Sequence, residues 1–193
     1  MACERSDVTV LGKRLRQLVD LERVGEHITQ HGNRLLQLAR PGPDHVAPID
    51  LNDVVRDVVG MLRLAGKLGR VECTVTLPDE PITVTVNRTR IEQILVNLVT
   101  NAVDAIENAG GGVTIEVEPN HGSRVACSVS DTGSGIPPDK LEKIFEAFYT
   151  TKGDNGTGLG LSVVREIVAS YGGVLTVHSA LTKGTTFRFD LPR

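Results

Sequence analysis

The chain has 193 residues, 40% of them hydrophobic, with a formal net charge of −3 and a pI near 6.0. That length suits one domain, or one domain with a small companion, and the apolar content is enough to bury a core built from Val, Leu and Ile, since only 3% of residues are aromatic. Both signs of charge are mixed along the chain, so nothing electrostatic points to nucleic acid or an anionic membrane as partner.

Residues 8–40 carry a helical period. Leu11 and Leu18 are seven apart, as are Leu21, Ile28 and Leu35, and Val24, His31 and Leu38. Such a strip predicts a partner helix, and a homodimer through this segment is expected. Pro41, Gly42 and Pro43 end it, dividing a helical segment (1–43) from the remainder (44–193). A second helix is predicted from Asp50, a capping residue, with Asp53 in its first turn. VECTVTL (71–77) and ITVTV (82–86) alternate as strands do and are joined by a PDEP turn.

A long helix is expected from Thr89 to Asn108, stopped by Ala109 and three glycines. VTIEVE (113–118) and RVACSVSD (124–131) read as a hairpin that delivers Asp131 at its end. Residues 132–157 form a long loop rich in Gly, Pro, Asp and Lys, with a short helical stretch near 138–148; a loop of that length in a compact domain is usually functional or disordered. LGLSVVREIVASY reads as a helix, and VLTVHS and TTFRFDLP as closing strands.

Cys3, Cys73 and Cys127 lack metal-ligand spacing, and an odd, unpatterned set suits a reducing compartment. Cys73 and Cys127 lie in strand-like segments, as small buried hydrophobes do. No apolar run reaches the length of a membrane span and no signal peptide is legible. The expectation is a cytoplasmic chain without direct membrane contact, whatever segment a parent protein adds.

Three motifs stand in order: NLVTNAVDA (97–105), DTGSGIP (131–137) and GTGLGL (156–161). Each alone is ordinary helix or turn sequence. Asn97 and Asn101 are four apart and share a helix face. An amide oxygen is a hard neutral ligand that suits Mg²⁺, though two asparagines also suit the wet side of an amphipathic helix. Gly133 and Gly135 let a backbone turn closely after Asp131, and Pro137 fits a plain capped turn equally well. The GTGLGL glycines precede a helix N-terminus, a natural anion site, but match neither the P-loop spacing nor a dinucleotide fingerprint.

Taken together, the three motifs resemble those of the catalytic, ATP-binding domain of sensor histidine kinases, in the superfamily shared with gyrase, heat-shock chaperone and mismatch-repair ATPases. The resemblance spans about 48–193, with further similarity in 8–40. It implies an α/β (α+β) sandwich: a mixed β-sheet with helices on one face and an ATP lid, preceded by an N-terminal dimerisation helix. It implies ATP and Mg²⁺, with Asn101 as metal ligand. Where relatives that hydrolyse ATP directly have a glutamate, this chain has Asn97, which lacks the basicity to activate water. Many related kinases have a lysine in place of Asp104, so a phosphate contact is missing there.

By the same resemblance Asp131 accepts from the adenine amine, with Gly133, Gly135 and Ile136 around the ring. IFEAFYTTK (144–152) is similar to a phenylalanine box, in which Phe145 and Phe148 bury rings to hold the lid. Lys152 reaches the phosphates and substitutes for the cation absent at 104; a solvated loop lysine is the plainer reading. Gly156, Thr157, Gly158, Leu159, Gly160 and Leu161 lie along the nucleotide. Thr185, in GTTF (184–187), is either an indirect adenine contact or a plain strand threonine.

A histidine acceptor followed by an acidic residue is absent from the sequence. His45, His121 and His178 stand in linker, turn and strand contexts, and His27 and His31 read as packing or surface residues of a second dimerisation helix, with the acceptor helix expected upstream. The implied activity is transfer of the ATP γ-phosphoryl group to a histidine, relayed to an aspartate of a response-regulator receiver domain. The alternatives are a non-enzymatic ATP-binding regulatory module, direct ATP hydrolysis, and a serine kinase of the same fold.

Overall fold

The structure, a computed structural model, describes residues 45–106, 110–120, 123–152 and 156–193. The helix expected over 8–40, with His27 and His31, lies outside the described residues, as does His121.

A short strand, β1 (Ala47–Asp50), leads directly into α1 (Leu51–Leu64). Asp50 caps that helix as expected: its Oδ1 accepts from the N–H of Asn52 and also of Ile82, both at 3.0 Å. One carboxylate thus starts α1 and fixes the chain entering β3 (Thr83–Val86), which pairs antiparallel with β1. The strand β1 was not legible because Pro48 interrupts its four residues. β2 (Glu72–Thr76) and β3 are consecutive but belong to different sheets. The PDEP turn between them is held by buried Asn52, whose amide donates to the carbonyls of Pro78 (3.2 Å) and Glu80 (3.1 Å).

The long helix, α2 (Arg88–Ala105), starts one residue earlier than expected and stops sooner, at an extended Ile106. Ile91, Ile94, Leu95, Leu98 and Ala102 recur at helical spacing and are all buried. Each of the Ile and Leu side chains contributes roughly 1.5–3 kcal/mol relative to exposure. β4 (Gly112–Asn120) and β5 (Arg124–Asp131) form the expected antiparallel hairpin, with Val113 opposite Asp131.

The helical stretch expected near 138–148 is two 3₁₀ turns, Pro138–Lys140 and Lys143–Phe145. Phe148 takes φ 70°, a left-handed conformation that no right-handed helix can include. α3 (Gly160–Ser170), β6 (Leu175–Ala180) and β7 (Gly184–Pro192) complete the fold.

The main sheet has the order β2-β4-β5-β7-β6; β2 runs parallel to β4 and the other neighbours are antiparallel. The helices cover one face, where Ile115, Val117, Val129, Phe187 and Phe189 join the same core as α1, α2 and α3. On the opposite face Arg188 and Glu118 pair across β5, in register with its small residues Ala126 and Ser128. Among the described residues no helix is long and apolar enough to cross a membrane.

Candidate functional site

The apolar stripe of α2 faces the sheet, which turns Asn97, Asn101 and Asp104 toward its other side; the first two are half-buried and Asp104 is exposed. α3 begins against this surface. A Cβ on Gly160 would stand 3.1 Å from Asn97 Oδ1, so the glycine lets the α3 N-terminus come this close without the asparagine shifting. The residue before the helix, Leu159, has no side-chain cap to offer, so the first-turn N–H groups stay available to an anion.

Lys152 comes to the same place from the loop. Its Nζ donates to Asn101 Oδ1 at 2.9 Å and to Asp104 Oδ2 at 2.7 Å. The lysine foreseen as a replacement for a cation at 104 therefore pairs with the acid that stands at 104. Asn97, Asn101, Asp104, Lys152 and Gly160 make one cluster from three distant stretches of chain.

The second end of the site is built at the end of β5. Asp131 is buried, and its Oδ1 accepts from the N–H of Gly133 (2.8 Å) and of Thr185 (3.2 Å). Burial pushes its carboxyl above the ordinary value, and the amides of Gly133 and Thr185 pull the other way. Thr185 is buried as well, and its hydroxyl meets the Ser179 hydroxyl at 2.9 Å. Ser179 Oγ accepts from the Ile136 N–H at 2.8 Å and donates to the Gly184 carbonyl at 3.1 Å. Ser179 was missed by sequence reasoning because nothing in VLTVHS distinguishes it; its role comes from β6 running beside β7. The loop carrying Gly133, Gly135 and Ile136 rests on α2, where the Ser134 N–H donates to the terminal carbonyl of Ala105 at 3.0 Å. The DTGSGIP loop is thereby tied to the helix bearing the asparagines.

The base of the intervening segment is fixed unevenly. Phe145 meets Phe187 edge-on, with centroids 6.4 Å apart, and the Arg165 guanidinium lies 5.6 Å from the Phe145 ring centre. Phe148 does not bury its ring as expected: it is 75% exposed, its left-handed backbone turning the side chain out. Its main chain does the holding instead, the N–H donating to Gly158 O at 3.0 Å. Gly158 (φ 65°) lies so close that a Cβ would sit 2.3 Å from the Phe148 carbonyl carbon. Gly156 similarly faces Thr150. Contacts within the protein by themselves leave little room for a side chain at either glycine. Thr157 and Leu161 flank the same turn, half-buried. His45 and His178 are exposed, and His178 lies on β6 beside Ser179, opposite Thr186.

Paired asparagines beside a helix N-terminus and a buried carboxylate under a second loop make up one candidate site on a mixed-sheet sandwich. Residues 86–193 match the family described as Histidine kinase-, DNA gyrase B-, and HSP90-like ATPase. The sensor histidine kinase ZraS of Salmonella typhi is 34% identical over 160 residues, covering 83% of this chain and 34% of that protein. The solved catalytic domain of histidine kinase ThkA is 33% identical with a TM-score of 0.68, covering 77% of this chain and 95% of that one. Full-length ShkA, solved in complex with AMPPNP, is 32% identical with a TM-score of 0.69, covering 100% of this chain and 39% of that one. The chain belongs to this ATPase family and, within it, to the catalytic ATP-binding domains of histidine kinases. It spans about a third of the length of the curated relatives it matches.

Proposed function

We infer that this domain binds Mg²⁺-ATP between α2 and the 132–159 segment and transfers the γ-phosphoryl group to a histidine. The observation that carries the reading is the neutral amide of Asn97 beside the α3 N-terminus, at the end of the site where Asn101 and Lys152 meet. A carboxylate there could take a proton from water; an amide cannot, so the γ-phosphate is shielded from hydrolysis and kept for another nucleophile.

Asp131 receives the adenine amine on Oδ2, since the backbone bonds of Gly133 and Thr185 occupy Oδ1. Gly133, Gly135 and Ile136 frame the base, and Thr185 acts indirectly by orienting Asp131. Gly156, Thr157, Gly158, Leu159, Gly160 and Leu161 border the phosphates, with the free N–H groups of α3 directed at them. The metal fits: the Lys152 ammonium on Asn101 Oδ1 already marks that oxygen as a seat for a cation. One amide ligand supplemented by phosphate oxygens and water is a usual coordination for Mg²⁺. Bound Mg²⁺ would neutralise charge developing on the phosphates; Asn101 orients it, and Lys152 adds a second positive charge.

The wider reading is a sensor kinase component: residues 1–43 as a dimerisation segment, 44–193 as the catalytic domain, a cytoplasmic setting, and a response-regulator receiver domain as final acceptor. ATP labelled at the γ-phosphate tests the central claim, with and without a supplied helix bearing an acceptor histidine. Acid-labile, alkali-stable label on that helix is the expected result. Label released only as inorganic phosphate would assign the domain to direct hydrolysis, and nucleotide binding with no transfer would make it a regulatory module.

A further inference from the structure

The acid at 104 is an odd neighbour for a triphosphate. Asn101 and Asp104 are three residues apart on α2, so they share a face, and that face looks onto the phosphate end of the site. An unpaired carboxylate there would repel every phosphate oxygen. It is not unpaired: the Lys152 ammonium lies 2.7 Å from Asp104 Oδ2 and 2.9 Å from Asn101 Oδ1. Lys152 is otherwise an exposed side chain on a loop, and its main chain is steadied by the Thr150 hydroxyl accepting its N–H at 3.1 Å.

Resting on the reading of Lys152 as a phosphate cation, we propose that Asp104 is a positioning residue that holds the Lys152 ammonium at the phosphate end of the site. An ammonium has three N–H donors. It spends one on Asp104 and one on Asn101. Were Asn101 Oδ1 to ligate Mg²⁺, the second donor would be freed while Asp104 still held the first, and the ammonium could turn its freed N–H groups to phosphate. Asp104 also sets the order of events: nucleotide meets a cation already in place, on an otherwise exposed chain whose free rotamers would have to be ordered at binding.

A purely structural Asp104 would not give a substitution effect whose sign depends on Lys152. With Lys152 present, Asp104→Asn removes the tether and weakens binding. With Lys152 removed, the same change deletes a bare repelling carboxylate and strengthens binding. The sign of the substitution reverses with its partner. Both side chains are substantially exposed, so the effects are modest, about three-fold in each direction.

Titration calorimetry with Mg²⁺ and AMPPNP, and separately with Mg²⁺ and ADP, would measure this on the full chain and the variants Asp104→Asn, Asp104→Glu, Lys152→Met, Asp104→Asn/Lys152→Met and Asp104→Lys/Lys152→Met. The expected result is weaker AMPPNP binding for Asp104→Asn, a smaller loss for ADP, and near-normal binding for Asp104→Glu. The double variant Asp104→Asn/Lys152→Met binds better than Lys152→Met alone, and Asp104→Lys/Lys152→Met, which supplies an ammonium from the helix, binds better still. The proposal is overturned if Asp104→Asn binds AMPPNP as the parent chain does, or more tightly, or if its effect keeps one sign in both backgrounds. Lys152→Met binding AMPPNP normally would remove the phosphate role of Lys152 and this proposal with it. A weakened Lys152→Met beside an unaffected Asp104→Asn would sink the proposal alone.

Discussion

Replacing Asp131 by Asn separates the two uses of that side chain. Both backbone N–H groups that reach Asp131 arrive at Oδ1, from Gly133 at 2.8 Å and Thr185 at 3.2 Å. An asparagine can keep its carbonyl oxygen there, so the loop and the start of β7 retain their bonds. What changes is the second oxygen, which becomes an NH₂. Facing the adenine amine, a donor now meets a donor, and a charge-assisted hydrogen bond worth about 1.5–3 kcal/mol is lost. ATP affinity is therefore expected to fall roughly ten- to hundred-fold. GTP, which offers a carbonyl oxygen where adenine has its amine, should lose far less, narrowing the ATP preference. The unliganded fold should respond in the opposite sense. Burial raises the folded-state pKa of Asp131, so the folded chain binds the proton more tightly than the unfolded one. Its contribution to stability is present below the unfolded carboxyl pKa and is lost as pH rises through the higher folded value. Above that folded value the buried carboxylate is a liability, and Asp131→Asn should melt no lower than the parent chain. Competition binding of ATP and GTP at pH 7.5, with thermal melts of the free protein, checks both halves. An ATP affinity within two-fold of the parent chain would refute the base-recognition role, and a large fall in melting temperature would show that Asp131 is chiefly structural.

Three further substitution or labelling experiments bear on the same construction. Asn97→Glu supplies the missing base, so phosphate release in the absence of any acceptor should rise about ten-fold or more; malachite-green detection of phosphate reads it directly. Phe145→Ala removes the edge-on contact with Phe187 and the Arg165 stack, at about 2–3 kcal/mol in denaturant melts, whereas exposed Phe148→Ala should stay within about 0.5 kcal/mol. Burial pushes the Cys127 thiol up to about 12 and raises Cys73 less fully, its burial being partial. Mass-spectrometric alkylation at pH 8 should therefore modify Cys73 first and Cys127 only on unfolding.

Periodicity made the helices and the β4–β5 hairpin legible, because Ile91, Ile94, Leu98 and the alternating Val113, Ile115, Val117 record burial on one side. Local chemistry placed the α1 start, where Asp50 caps it. Pairing partners were not legible. β2 and β3 alternate alike, and it is the Asn52 bonds to Pro78 and Glu80, with Asp50 on Ile82, that hold the turn redirecting the chain. The site divided in the same way. Asn101 and Asp131 announced themselves through motifs, but the Lys152–Asp104 pair joins residues 48 positions apart and leaves no local trace. Phe148 was misjudged because its exposure follows from a backbone angle that a phenylalanine rarely adopts.

The two ends of the site are held by different kinds of bond, and this has a consequence for specificity. Around Asp131, main-chain groups of the DTGSGIP loop, β6 and β7 fix one another: the N–H groups of Gly133, Thr185 and Ile136 all donate into two buried or half-buried side chains. Such a network cannot yield at one point without breaking several bonds. Around Asn101 the only ties among the described residues are side chain to side chain, through the exposed ammonium of Lys152, which a metal can displace without disturbing any strand. On the proposed reading, base choice belongs to the rigid end and phosphate count to the exchangeable one. Lys152→Met should lower the affinity for ATP while leaving its preference over GTP intact, and Asp131→Asn should do the reverse to that preference while leaving the ATP-to-ADP ratio unchanged. If Lys152→Met altered base preference, the two ends would be coupled through α2, and the separation drawn from their bonding would fail.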